Sequence, residues 1–388
     1  MIPSDWKETN FTDLVDLKMG YAFKSKDFVD CGVPLVRMSN LYQNKLDLKR
    51  SSVYLPKDYI EKYSQFRISP DDILLSMTGT LGKEDYAFAV LVPPGTETML
   101  LNQRVARVRS KSPDDKEFIL SLMRSRLFLN QVYSKPGGTK QANISTKDLS
   151  EIMVPCPPPS ERSHIGEIIN LWSDTIGVVE RLIMAKNRLA KSLMQKLLFD
   201  RADDSLKISE IATVTMGLSP SSSNYNEDKR GMPLIQGNAD ISEDRRTISR
   251  VFTTQTTKVV EKGDIIISVR APVGEVALAD NDACIGRGVA GLKVHDKFDL
   301  NYIFYSLMSL ESKWKKYSQG STFEAVNSKD LKDFVIPVVS DRNYQKKLGD
   351  FFDNAHYEIL LLKRYRKCLV KQKQGLMQQL LTGKKRIR

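Results

Sequence analysis

The chain contains 388 residues, of which 41% are hydrophobic, and its formal net charge is +12. This length predicts two or three domains. The sequence shows no apolar run near the roughly 20 residues of a membrane span and no leader-like start, so we expect a cytoplasmic protein that contacts no membrane. The four cysteines are scattered without a CxxC pair, which predicts neither a zinc site nor a disulfide framework.

The excess of basic residues favours a polyanionic partner through long-range attraction and counterion release. After Glu358 the sequence contains no further acidic residue, while basic residues continue to the end. The alternative is that these basic residues bind no polyanion and only form the solvated face of a helix followed by a frayed tail.

The N-terminal part, to about Pro159, predicts short strands separated by turns. Strand-like runs bounded by Gly, Pro, Asn or Asp occur at 33–38, 72–77 and 86–92, and residues 118–132 form a helical exception. The proline-rich residues 155–159 predict an end to regular structure and a stiff hinge.

The part from about 206 to 340 repeats this plan, because six landmarks recur in the same order. The matching pairs are Met19-Gly20 with Met216-Gly217, Pro34-Leu35 with Pro233-Leu234, Asp72-Ile73 with Asp264-Ile265, Val105-Ala106 with Val289-Ala290, Ser121-Leu122-Met123 with Ser306-Leu307-Met308, and Asp148-Leu149 with Asp330-Leu331.

Each repeat is followed by a long helical pattern, at about 163–199 and 347–382. Apolar residues recur at spacings of three and four, and both patterns end alike, in Leu193-Met194-Gln195 and Leu376-Met377-Gln378. Two separate amphipathic core helices would also show this period. The duplication favours two helices that pack on each other and separate two domains.

Two mixed α/β domains, each followed by a long helix, resemble the specificity subunit of a type I restriction–modification system. The C-terminal residues 374–386 carry the most specific part of the resemblance, and the opening positions Pro3, Trp6 and Gly20 support it. The sequence departs from the family pattern where Phe199-Asp200 replaces Thr-Gly, and where the second domain lacks the Pro/Trp opening.

The resemblance implies an α/β (α+β) fold with an internal pseudo-twofold repeat. Target recognition domains at 1–159 and 202–340 would be separated by long helices at 160–201 and 341–388, which form an antiparallel coiled coil. Each domain would bind one half of a bipartite, asymmetric site in double-stranded DNA, while the helices set the spacer.

In such complexes two methylation subunits dock on the helices and methylate adenine, and restriction subunits join them. S-adenosylmethionine, ATP and Mg²⁺ are therefore expected on the partner subunits, with no cofactor or metal in this chain. The sequence itself is consistent with a non-catalytic role, because it lacks the Asn/Asp-Pro-Pro-aromatic loop of an amino-methyltransferase and a Walker A motif. No nucleophile, base and orienting residue can be grouped.

Base recognition requires side chains such as Arg for guanine and Asn or Gln for adenine. We predict DNA contacts from polar, basic and aromatic residues near turns of both domains, which are Arg37, Asn40, Thr78, Lys83, Gln103, Arg104, Lys140, Gln141, Asn143, Gln236, Asn238, Arg270, Arg287, Thr322 and Phe323. Arg270 and Arg287 are the most suggestive, because neither has an obvious acidic neighbour.

The paired helix ends predict a subunit interface formed by Leu193, Met194, Leu197, Leu376, Met377 and Leu380. On this hypothesis, deleting the residues after Gln374 should weaken assembly more than folding. Other functions remain open at the level of sequence. They are a coiled-coil scaffold that binds only proteins, the specificity part of a methylation-only complex, and a complete enzyme, which the absent motifs disfavour.

Overall fold

The computed structural model describes residues 2–135, 141–318 and 325–387. The chain forms two compact units, of which the first comprises Met1–Val178 with Arg366–Arg388 and the second comprises Val179–Tyr365. Each unit therefore contains one repeat of the sequence together with part of each long helix. The domain boundaries predicted at 159, 201 and 340 stay predictions.

The helices of the described ranges are mostly short, and two are long. They are α1 Phe11–Leu14, α2 Tyr59–Lys62, α3 Lys116–Met123, α4 Arg126–Ser134, α5 Thr146–Ser150, α6 Pro159–Phe199, α7 Ile208–Ile211, α8 Leu300–Ser309, α9 Glu311–Ser318, α10 Ser328–Asp333 and α11 Arg342–Leu380. None of the helices in the described ranges is long and apolar enough to cross a membrane.

The strands are short and occupy the two repeats. In the first unit they are β1 Lys7–Asn10, β2 Val15–Met19, β3 Val33–Val36, β4 Leu41–Tyr42, β5 Lys45–Leu46, β6 Tyr54–Leu55, β7 Arg67–Ile68, β8 Ile73–Ser76, β9 Thr78–Thr80, β10 Ala89–Leu91, β11 Met99–Leu101, β12 Val105–Ser110, β13 Gln141–Asn143 and β14 Met153–Cys156. In the second unit they are β15 Asp204–Lys207, β16 Ala212–Met216, β17 Tyr225–Asn226, β18 Met232–Ile235, β19 Val251–Thr253, β20 Val259–Val260, β21 Ile265–Ser268, β22 Val276–Leu278, β23 Ala283–Ile285, β24 Val289–Val294 and β25 Val335–Val338.

Two four-stranded sheets form the body of the first unit, in the orders β10-β8-β12-β2 and β6-β3-β11-β7. Successive side chains of a strand point to opposite faces of the sheet. Ile73 and Leu75 of β8 accordingly pack in the core that includes the helices, while Leu74 packs in a second cluster with Val36 and Leu101. Both faces of β8 are covered, and its residues Ile73 to Leu75 accordingly form a continuous apolar run before Ser76.

The second unit repeats this arrangement, with sheets in the orders β16-β24-β21-β22 and β17-β19-β18-β23-β20. Ile265 and Ile267 of β21 pack in the core shared with helices, whereas Ile266 packs in a separate cluster with Ile235 and Ile285. The repeat and the mixed α/β fold class predicted from the sequence are confirmed.

Within each unit, the segments of α6 and α11 lie side by side and run antiparallel. In the first unit, Lys373 Nζ donates to Ser173 Oγ at 2.7 Å, and Leu380 shares a core with Ile165. In the second unit, Lys186 Nζ lies 2.7 Å from Glu358 Oε2. Burial between the helices lowers the pKa of Lys373 to about 8.

The helix starts follow from local chemistry. Proline is favoured in the first turn because its missing N–H has no partner there, and α6 begins at Pro159 with Glu161 close behind, near the positive end of the helix dipole. The Asp341 carboxylate precedes α11 and accepts from the Asn343 N–H at 2.8 Å. Both helices therefore begin before the apolar patterns at about 163 and 347.

The C-terminal segment is tied to the start of the chain inside the first unit. The Arg386 guanidinium donates to Asp5 at 2.7 and 2.8 Å and to Glu161 at 2.7 and 2.8 Å. The Trp6 Nε1–H donates to the same Glu161 carboxylate at 3.0 Å. The hydrogen bonds from Arg386 hold the pKa of Glu161 below its usual range, although desolvation opposes this shift.

Two predictions require correction. The proline-rich hinge is shorter than expected, because Pro155 lies in β14 opposite Glu8 of β1, in a two-stranded pair that tolerates the missing N–H. Three of the residues predicted to contact other subunits, Met194, Met377 and Leu380, are buried in the cores of their own units and so offer no surface to a partner. Leu193, Leu197 and Leu376 are partly buried against the same cores.

Candidate nucleic-acid interface

The parallel strand pair of each unit brings two loops together. Because β3 and β11 run parallel, the segments that follow them leave the same edge of the sheet. The Asn102 N–H donates to Val36 O at 3.1 Å, and in the second unit the Gly286 N–H donates to Ile235 O at 2.8 Å. Each pair of loops therefore encloses a cavity at an equivalent place in the repeat.

The cavity of the first unit, called here the first-domain pocket, measures about 290 Å³. Its lining residues are Phe28, Arg37, Met38, Ser39, Asn102, Gln103 and Arg104. Gln103 and Arg104 are exposed, and the Arg104 Nη1–H donates to Gln141 Oε1 at 3.2 Å. Three of the residues predicted from the sequence thus line one cavity, and Gln141 lies beside it.

The cavity of the second unit, called here the second-domain pocket, measures about 260 Å³. It is lined by Ser219, Gln236, Gly237, Asn238, Arg270, Ala271, Arg287 and Gly288. Arg270 and Arg287 are exposed, and their side chains have no hydrogen-bond or ion-pair partner among the described residues. All four predicted residues of this domain that the structure describes therefore converge on one cavity.

Hydrogen bonds between the backbone and both side-chain and backbone groups hold the second-domain pocket in shape. The Arg287 N–H donates to Ser219 Oγ at 3.1 Å, and Asn238 Nδ2 donates to Pro272 O at 2.8 Å. The Gly288 O accepts from the Val269 N–H at 3.0 Å, which brings Arg270 to the pocket. A Cβ on Gly288 would lie 2.0 Å from Gln236 O, so this close approach requires glycine.

Two residues of the first domain that were predicted to contact DNA are buried and make hydrogen bonds within the domain. Asn40 is 2% exposed; its Oδ1 accepts from the Arg37 N–H at 2.8 Å, and its Nδ2 donates to Asp47 O and Arg50 O at 3.0 and 2.7 Å. Thr78 is 4% exposed and donates through Oγ1 to Asn143 Oδ1 at 2.9 Å. Both side chains are therefore structural, and the prediction that they contact bases was wrong.

The remaining predicted residues lie outside the pockets or outside the described ranges. Lys83 is exposed on the turn after β9, near Asp85. Although desolvation acts to raise it, the pKa of Asp85 is lowered by hydrogen bonds from the Thr80 hydroxyl and N–H. Lys140, Thr322 and Phe323 lie outside the described residues.

Sequence reasoning missed Ser39, Asn102 and Ser219, which also line the pockets. The signal that could have found them is the repeat itself, since they lie within a few residues of the landmarks.

The two pockets share the same chemistry. No acidic residue lines either pocket in the described part of the chain, and each pocket combines arginine with amide side chains. These groups donate hydrogen bonds to base edges and phosphates.

A family model, the type I restriction modification DNA specificity domain, matches residues 3–183 and 204–369. The chain belongs to this family. The resemblance drawn from the repeated landmarks and the twin helices is confirmed, and each matched segment of this specificity-domain chain contains one pocket.

Relatives of the family match most or all of the chain. The MjaX specificity subunit of Methanocaldococcus jannaschii, named as part of a type I restriction enzyme, is 29% identical over 412 residues, which cover 100% of this chain and 95% of the relative. The EcoBI specificity subunit of Escherichia coli is 22% identical, covering 87% of this chain and 77% of the relative. The crystal structure of a type I restriction–modification S subunit from M. genitalium superimposes with a TM-score of 0.65 at 15% identity, covering 98% of this chain and 96% of that one, and so shows the same fold.

Proposed function

We propose that this chain supplies the DNA sequence specificity of a type I restriction–modification complex. The first-domain and second-domain pockets each bind one half of a split site. The observation that carries this proposal is the placement of two pockets at equivalent positions of an internal repeat, with different side chains in each. Two identical pockets would bind identical half-sites, whereas these two predict an asymmetric site.

The side chains support recognition of base edges. Arginine binds guanine through two parallel hydrogen bonds, and asparagine or glutamine does the same for adenine. The second-domain pocket contains Arg270 and Arg287 with Gln236 and Asn238. The first-domain pocket contains Arg37 and Arg104 with Gln103 and Asn102. Each pocket can therefore discriminate both purines.

The long helices are suited to a spacer role. At about 1.5 Å per residue, α6 with 41 residues and α11 with 39 residues are each about 60 Å long. We assign methylation, with S-adenosylmethionine, and cleavage, with ATP and Mg²⁺, to separate methylation and restriction subunits. The chain itself is non-catalytic. A scaffold that binds only proteins would have no use for two arginine-containing pockets.

Exchange of one domain tests this proposal. Replacing residues 206–335 by the corresponding segment of a family member with a different pocket should change one half of the methylated motif and leave the other half unchanged. The measurement is methylation sequencing of DNA from cells that express the variant with its methylation subunit. A change in both halves, or in neither, would contradict independent recognition by two domains.

Exposed apolar side chains on the long helices suit the docking of methylation subunits. Leu171 is 65% exposed in the first unit, and Leu189 and Leu361 are 58% and 45% exposed in the second. Apolar side chains of this size on a solvated helix mark interaction surfaces when several occur together. They replace the buried Met194, Met377 and Leu380 as our candidates for the subunit interface.

Glutamate substitutions at two of these positions should weaken assembly. We expect Leu171→Glu and Leu189→Glu each to raise the dissociation constant for the methylation subunit by about tenfold or more, because a buried, unpaired carboxylate is costly at an interface. Val335→Glu is the matched control, since Val335 is 49% exposed on β25 rather than on a long helix. Calorimetric titration gives the affinities, and an equal loss in the control would contradict a specific docking surface.

A further inference from the structure

The first unit contains a cluster of aromatic rings and lysines that the proposed pockets do not include. This aromatic–lysine patch consists of Lys18, Tyr21, Tyr59, Lys62, Tyr63 and Phe66. The Tyr21 ring lies 5.0 Å from the Tyr63 ring and 5.3 Å from the Phe66 ring, and the Tyr59 and Tyr63 rings are 5.0 Å apart. Tyr21 is nevertheless 41% exposed, so the patch reaches the surface.

Lysines lie over the faces of these rings. Lys62 Nζ is 5.1 Å from the centroid of Tyr59 and 5.6 Å from that of Tyr63, and Lys18 Nζ is 5.1 Å from that of Phe66. Cation–π contacts of this kind hold an ammonium group in place without neutralising it.

The charges of the patch are not balanced by carboxylates. Glu61, which neighbours Lys62 in sequence, lies 2.8 Å from Arg67. Lys18 Nζ donates to the neutral Gln65 Oε1 at 3.1 Å, and neither lysine has an ion-pair partner among the described residues. Desolvation raises the pKa of the Tyr63 phenol, although Lys62 acts to lower it.

The patch adjoins the first-domain pocket through the backbone of Tyr21. The Tyr21 N–H donates to Leu101 O at 2.9 Å, and the Gln103 N–H donates to Tyr21 O at 3.0 Å. Tyr21 is therefore hydrogen-bonded to the loop that lines the pocket. In the second unit, the equivalent N–H belongs to Leu218, which donates to Ile285 O at 2.9 Å and carries neither a ring nor a hydroxyl.

We propose that the aromatic–lysine patch binds the phosphate backbone of DNA just beyond the half-site that the first-domain pocket recognises. This inference rests on the proposed function. Two ammonium groups and the tyrosine hydroxyls offer hydrogen-bond donors to anionic oxygens without the shape complementarity that a base edge requires. Among the described residues of the second domain, Leu218 stands where the first domain has Tyr21, so we expect the contact with the DNA backbone to extend further at the first half-site.

The test measures the salt dependence of DNA binding by the complex of the full chain with its methylation subunit. The probe is a fluorescein-labelled duplex that contains the motif found by methylation sequencing. The slope of log K against log salt is negative, and each phosphate contact adds about 0.9 to its magnitude. We expect Lys62→Ala and Lys18→Ala each to reduce the magnitude of this slope by about 0.9, with the methylated motif unchanged. Lys62→Arg should restore the wild-type slope.

Lys7→Ala is the matched control, because Lys7 is exposed on β1 and lies outside the patch. Tyr63→Phe removes one hydroxyl and keeps the ring, so it should weaken binding without changing the slope. Slopes that stay at the wild-type value in both lysine variants, or that fall equally in Lys7→Ala, would overturn the proposal. A changed motif in the lysine variants would overturn it as well, because the patch would then bind bases. A failure of the proposed function would be distinguishable from a failure of this inference, because the wild-type complex itself would then show no sequence-specific binding.

Discussion

Deletion of residues 375–388 is expected to unfold the core of the first unit, and not merely to weaken assembly. Met377, Leu380 and Leu381 are 8%, 3% and 1% exposed and pack in the same core as Phe11 and Phe128. Loss of one buried leucine costs about 2–5 kcal/mol, and a whole domain is stable by only about 5–15 kcal/mol. From the structure we therefore expect folding to suffer more than assembly, whereas the sequence predicted the opposite order for this truncation.

Point variants on the last turn of α11 give the matched comparison. Leu380→Ala should lower the free energy of unfolding by about 2–5 kcal/mol, whereas Gln379→Ala, on the exposed side of the same turn, should change it by less than about 0.5 kcal/mol. Amide hydrogen exchange of β8 and β12, which lie in the first unit, reports the effect. Protection of these strands in the truncated chain at the wild-type level would show that the C-terminal segment is dispensable for folding.

The contacts of Arg386 explain why the fold of the first unit depends on the short segment 375–388. This residue joins the chain's last residues to Asp5 and Glu161, and its guanidinium lies 5.5 Å from the Trp6 ring centre. Gly383 makes the turn after α11 with a φ of +70°, and a Cβ there would lie 2.4 Å from Pro3 Cγ. The conspicuous C-terminal residues of the sequence therefore serve the fold of the first unit.

Much of the fold could be predicted from sequence because it depends on local patterns. The apolar run of β8 and its counterpart in β21 predict buried strands, and the three- and four-residue spacing predicts the long helices. The repeat then predicts the second unit from the first. What failed was the function of the Leu-Met-Gln helix ends, because a periodic apolar stripe does not reveal which of its residues an intramolecular core already covers.

For the candidate sites, the sequence likewise predicted some residues correctly and others not. Arg270 and Arg287 were predicted from their lack of acidic neighbours, and the structure places both at one pocket. Asn40 and Thr78 have equally suitable chemistry for DNA, but their amide and hydroxyl groups satisfy backbone and side-chain partners inside the first unit. Whether a polar side chain is free for a ligand depends on tertiary hydrogen bonds, which sequence spacing does not specify.

Substitution of Arg270 or Arg287 should impair recognition of one half-site selectively. Each bidentate arginine–guanine contact is worth about 1–3 kcal/mol of discrimination, so we expect Arg287→Ala and Arg270→Ala each to weaken binding of the correct motif by about 5- to 150-fold. Discrimination at the half bound by the first-domain pocket should stay at the wild-type level. Gln103→Ala should give the converse pattern, because Gln103 lines the first-domain pocket.

Two further variants separate base recognition from simple loss of charge. Arg287→Lys keeps the charge but loses the planar pair of donors, so it should still relax specificity at the second half-site. Lys262→Ala removes a charge from an exposed residue before β21, at the opposite end of the strand from Arg270, and should change only the salt dependence if it changes anything. Competition binding with duplexes substituted one base pair at a time measures both effects. If Arg287→Ala lowers affinity equally for every duplex, Arg287 contacts phosphate, and the second-domain pocket does not read bases through this residue.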